Sequence, residues 1–144
     1  MATPPNVLIS IYGIPDLETE PIILTTPGRL YRKNGVYSIT YRETELTGLA
    51  GVTTTLKVEP DRITLMRRGG DNACMIFRRG ERHYNLFQQG GQPVTVAISA
   101  NNMHQNLNDA GGEVDIDYSV FINDAHALRN RLHVDVRSLD PIVS

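Results

Sequence analysis

The dipeptide Asn34-Gly35, set between two alternating apolar runs, constrains this chain more than any other feature. Both residues accept positive φ, so the pair specifies a type I′ hairpin, whose twist matches the strands it joins. A two-residue loop pairs Lys33 with Val36, and so Arg32 with Tyr37, Leu30 with Ile39, Gly28 with Tyr41 and Thr26 with Glu43. Ile22, Leu24, Leu30, Tyr37, Ile39 and Tyr41 then share the inward face, with Tyr41 covering the gap at Gly28 and Glu43 on the same side. A slip of one residue would send the whole set to solvent. Pro27-Gly28 reads as a bulge or bend in the strand running from about Ile22 to Arg32.

The period of two continues along the chain. Val7, Ile9 and Ile11 alternate before Gly13 to Pro15 breaks the first strand. Glu59-Pro60-Asp61-Arg62 signals a second hairpin, pairing Val58 with Ile63, Leu56 with Leu65 and Thr54 with Arg67. Weaker strands are expected at Met75 to Arg79, His83 to Gln88 and Val94 to Ala100. The polar stretch Asn101 to Gly112 allows at most a short helical turn, through Met103 and Leu107. In the last two strands Val114, Ile116, Tyr118, Val120 and Ile122 face inward, as do Leu128, Leu132, Val134 and Val136 after the Asn123-Asp124 turn. Nine or ten sequential strands in an open sheet would leave two exposed edges, and closure removes them. The expectation is an all-β, single-domain, up-and-down antiparallel β-barrel, with a two-sheet sandwich as the alternative.

Composition agrees. At 144 residues and 40% apolar content the chain can bury a core without a disulfide or metal staple. The chain is rich in Tyr, Val, Ile, Thr, Gly and Pro and has few of the Ala, Leu, Glu and Lys runs that long helices favour, which argues against a helical bundle. We expect one domain over residues 1–144, with residues 1–5 of the Met-Ala-Thr-Pro-Pro-Asn opening as a flexible lead-in. A net charge of −2 argues against nucleic acid as a partner of the whole molecule. The single Cys74, the lack of a secretory leader and the absence of an apolar run long enough to span a bilayer point to a cytoplasmic protein with no membrane partner.

Signatures of chemistry are missing. There is no Gly-x-Ser-x-Gly, P-loop or Gly-x-Gly-x-x-Gly fingerprint, and Cys74 lacks a catalytic context. His83, His104, His126 and His133 lack metal-ligand spacing. Neither enzyme activity nor a cofactor or metal is expected. The six arginines from Arg62 to Arg82 divide between faces, with Arg68 and Arg78 outward and Arg67 and Arg79 on the other side, so they form no single stripe for nucleic acid.

The ordered set Pro27-Gly28-Arg29-Leu30-Tyr31, Asn34-Gly35-Val36-Tyr37, Tyr41-Arg42-Glu43-Thr44-Glu45, Gly48, Thr54-Thr55-Leu56-Lys57-Val58 and Leu65-Met66-Arg67 resembles the YwiB-like family of small bacterial proteins. Phe77, Gly80, Tyr84, Gly112, Tyr118 and Asn130-Arg131-Leu132 follow in the same order. The Pro-rich N-terminus and the Gly69 to Asp71 stretch depart from that pattern. The resemblance implies a calycin-like (lipocalin-like) barrel, about eight to ten strands here, in a family of unknown function. It supplies no catalytic residues.

Tyr41, Glu43, Thr54 and Arg67 match the family pattern and also fall inward in both hairpin registers. A guanidinium on an inner wall needs a partner, and Glu43 is the expected one, with Thr54 and Tyr41 in support. As a structural ion pair the cluster would fix register. As a site it would be the polar anchor of a small apolar or amphipathic ligand held in the barrel. The expected function is that of a non-catalytic binding barrel. The alternative is a protein or RNA interaction module that uses the outer arginine-bearing wall of a side-chain-filled barrel. The residues do not specify an oligomeric state.

Overall fold

The computed structural model describes residues 4–14, 22–43, 51–69, 73–89, 92–123, 125 and 128–139. Ten strands follow one another: β1 (Val7–Ile14), β2 (Ile22–Lys33), β3 (Val36–Arg42), β4 (Thr53–Val58), β5 (Ile63–Arg68), β6 (Ala73–Phe77), β7 (Arg82–Gln89), β8 (Gln92–Gln105), β9 (Gly111–Ile122) and β10 (Leu128–Ser138). They form a single antiparallel sheet in the order β6-β5-β4-β3-β2-β1-β10-β9-β8-β7. No described helix is long and apolar enough to cross a membrane.

The sheet curls into a nearly closed up-and-down barrel. Its seam lies between β6 and the β7-β8 pair, where single contacts replace a ladder. Arg79 bridges to Ala100, the Gly80 amide donates to the Ala100 carbonyl at 3.3 Å, and Arg79 Nη2 donates to the Met103 carbonyl at 2.7 Å. Opposite the seam, β1 and β10 pair from Val7 with Ser138 to Ile14 with Arg131. Asn6 ties this region together. Its side chain accepts from the Leu30 amide at 2.8 Å and donates to the Leu30 carbonyl at 2.9 Å, while its own carbonyl accepts from the Leu139 amide at 2.9 Å.

Both hairpin registers are those the turns predict. Asn34 and Gly35 have φ of 54° and 79°, and Leu30 lies opposite Ile39 with both side chains buried. Val58 pairs with Ile63, Leu56 with Leu65 and Thr54 with Arg67. The inner faces build one core that includes Ile9, Leu30, Ile39, Leu56, Ile63, Phe77, Ile116 and Val134.

Four expectations fail, each for a local reason. Pro27 causes no bulge: the β2 to β3 ladder ends at Gly28, one residue short of it, and pairing to β1 runs through without a shift. Residues 101–105 continue β8 instead of turning helical. A bulge between Ala100 and Asn102 inserts Asn101, so the inward parity passes from Ala100 to Met103 and the alternation is hidden. Ile122 and Leu128 are 43% and 46% exposed because the far end of the β9-β10 hairpin overshoots the core. Arg79 is exposed and hydrogen-bonded along the seam instead of following Arg67 inward. The expectations placed on residues 1–3, Pro15, Gly70 to Asp71, Gly90-Gly91, Asp124 and His126 lie outside the described residues.

Candidate functional site

Strand direction separates the two ends of the barrel. At one end lie Lys33 and Val36, Val58 and Ile63, Phe77 and Arg82, and Gln105 and Gly111; at the other lie Ile14 and Ile22, Arg42 and Thr53, Arg68 and Ala73, Gln89 and Gln92, and Ile122 and Leu128. The polar inner-wall residues gather at the second end. Tyr41, Thr54 and Arg67 stand side by side on β3, β4 and β5, and the Glu43 amide extends the β3-β4 pairing by donating to the Val52 carbonyl at 2.8 Å. Period two then places Glu43 beside Tyr41 on the inner face.

The Thr54 hydroxyl, fully buried, donates to Glu43 Oε1 at 3.0 Å, and the Tyr41 hydroxyl is hydrogen-bonded to the same carboxylate. Glu43 is itself buried. Two hydroxyls thus serve the carboxylate that was expected to pair with Arg67. Arg67 Nε is buried without a hydrogen-bond partner. Arg67 stands beside Thr54 on the inner face of β5, and its charge opposes the rise in the Tyr41 and Tyr118 values.

Sequence reasoning brought Tyr41, Glu43, Thr54 and Arg67 together, and the structure does so too. Asn130 was missed as a site residue. It pairs with Tyr118 across β9 and β10 and hydrogen-bonds the phenol. No local turn relates these strands to β5, so only closure of the sheet brings them to face Arg67. Tyr118 also packs edge-on against Phe77, with ring centroids 4.9 Å apart.

Both phenols titrate above their ordinary range. Burial is the largest cause for each; for Tyr41 the Glu43 charge and hydrogen bond add to it, and Arg67 opposes it. The folded protein therefore holds these protons more tightly than the unfolded chain. That contribution is complete below the ordinary tyrosine value of 10.0 and is lost as pH rises through the raised folded values. Between the ordinary and the raised value stability should fall by up to about 1.4 kcal/mol per pH unit for Tyr41 alone. Urea unfolding at about pH 8 and about pH 11 checks this: Tyr41→Phe should show a shallower alkaline loss than the native protein.

A second polar group lies on the outer wall. His133 Nδ1 and Asp115 Oδ1 are 2.6 Å apart, with the Tyr12 ring 5.7 Å from the imidazole. The backbone of β1, β10 and β9 is fully paired around it, so it offers no free amide to a developing charge. The described residues contain no group of three or more His, Cys, Asp or Glu side chains suited to a metal. Cys74 is exposed.

The chain is similar to the ywiB protein from Bacillus subtilis in its crystal structure, with 20% identity, a TM-score of 0.72 and coverage of 92% of this chain and 91% of that one. At that identity the likeness shows a shared fold. No curated protein matches. Residues 10–134 match the domain of unknown function DUF1934. The chain therefore belongs to the DUF1934 family, the YwiB-like proteins.

Proposed function

We propose that this protein is a non-catalytic binding barrel whose polar end takes a small amphipathic ligand, with the ligand's anionic group on Arg67. The observation that carries this reading is Arg67 Nε, buried on the inner wall without a hydrogen-bond partner. A buried donor left unmade costs about 1–3 kcal/mol, and more when charged. A carboxylate or phosphate matches a guanidinium fork and would remove that cost. Tyr118, kept protonated by burial, is a further donor beside it. Glu43, bound by Thr54 and Tyr41, sets one wall of the site.

The test is calorimetric titration with octanoate, octanol and octylammonium. Octanoate should bind at least about tenfold tighter than octanol, because a hydrogen bond to a charged group contributes about 1.5–3 kcal/mol. Arg67→Met should erase that preference while leaving unfolding stability within about 1 kcal/mol of native or above it, since the change removes a buried charge and keeps an apolar stem of similar reach. Equal binding of octanoate and octanol by the native protein would defeat the proposal.

One observation favours the alternative, an interaction module for protein or RNA. On the outer wall Arg82 Cζ lies 3.8 Å from the Phe121 ring centroid, and Tyr84 is 56% exposed nearby on β7. Neighbouring arginines are already engaged: Arg129 is held by Asp117 at 2.7 Å and Arg78 by Asp61 at 3.5 Å. A single-stranded RNA complex of micromolar affinity that survives about 200 mM salt would support this reading.

A further inference from the structure

Resting on the anion site at Arg67, we infer that its ligand carries an elongated apolar tail, and that this tail leaves the barrel over a lip formed by the ends of β8, β9 and β10. The lip is the outer end of an inward-facing strip that starts in the core and runs out past it. Tyr118, Val120 and Ile122 alternate along the inner face of β9; Ile98 and Val96 lie opposite Val120 and Ile122 on β8, and Leu128 lies opposite Val120 on β10. Ile98 is buried, Val120 and Val96 are partly buried, and Ile122 and Leu128 are 43% and 46% exposed.

Scattered exposed apolar residues require no explanation. These two differ in being the outer continuation of the barrel's inner wall. They are diagonal neighbours across one hairpin, on a strip that runs from Tyr118 towards the barrel end at which β5 carries Arg67. The strip runs about 13 Å from Tyr118 to Ile122 at strand spacing.

A tail held at Arg67 has no room in the other direction. The rows beneath Thr54 and Arg67 are occupied by Leu56 with Leu65 and by Val58 with Ile63, all buried, and by Phe77, which is completely enclosed. The filled half of the barrel turns the tail outward, and the apolar surface in that direction is the lip.

The experiment is a calorimetric series of saturated carboxylates from octanoate to tetradecanoate, with the matching alcohols. Affinity should rise roughly fourfold per added methylene, then level once the tail passes the lip. Ile122→Ser and Leu128→Ser, both at exposed positions, should flatten that rise while keeping the preference for carboxylate over alcohol. Arg67→Met should do the reverse. A flat series with the carboxylate preference intact would overturn the tail and leave the anion site standing. Absence of carboxylate binding would overturn both. If the lip instead seats a second copy of the chain, sedimentation would show a dimer that Ile122→Ser dissolves, and the tail assignment would fall.

Discussion

Phe77→Ala is expected to lower the unfolding free energy by about 3–5 kcal/mol, the largest effect of any single truncation in this barrel. Phe77 is completely buried and sits on β6, beside the seam where backbone pairing stops. Side-chain packing takes over there from the ladder: Phe77 stands opposite Ile63 on one side and meets the Tyr118 ring edge-on across the barrel. The removed ring leaves a cavity bordered by an edge strand and takes one support from the phenol facing Arg67. Phe77→Leu retains most of the volume and should cost less than half as much. Urea unfolding of both variants, with slopes compared to the native protein, measures this. A Phe77→Ala loss below about 1 kcal/mol would mean that the seam is not close-packed.

Gly28→Ala is expected to cost about 3 kcal/mol, although one methyl group is all it adds. A Cβ at this position would collide with Ile9 Cδ1 and lie 2.5 Å from the Thr40 carbonyl oxygen and 3.2 Å from Tyr41 Cβ. Ile9 can turn its terminal methyl aside; the Thr40 carbonyl belongs to the β3 backbone and cannot move without disturbing pairing to β2. The double variant Gly28→Ala with Ile9→Val should therefore recover only part of the loss. Full recovery would assign the whole cost to Ile9. Because Tyr41 is the third neighbour, Gly28→Ala should also weaken octanoate binding.

These two positions also show what the sequence made legible. Asn34-Gly35 set a register by turn chemistry alone, and that register put Gly28 against Tyr41 and, through the next hairpin, Thr54 against Arg67. Half of the candidate site follows from those two turns. The rest depends on interactions with no local sign. Arg67 and Glu43 share an inner wall, yet the carboxylate accepts from Thr54 and interacts with the Tyr41 phenol, which strand parity does not report. Tyr118 and Asn130 reach the site only through closure of the sheet. At Asn101 a single inserted residue reverses the inward parity, which made a strand read as a polar loop. Ile122 and Leu128 have the correct parity for the core, but parity does not report how far a hairpin overshoots it.

The pairing of β1 with β10 has a consequence for how fast the chain folds. Every other ladder joins strands adjacent in the sequence, so β1 to β6 and β7 to β10 are each a meander whose loops close locally. Joining the two meanders brings Val7 to Ser138, a closure of about 130 residues that costs roughly 2 kcal/mol more chain entropy than a hairpin of about ten. This one ladder raises the contact order of an otherwise local topology, and folding is expected to be slower than for a meander of the same length without it.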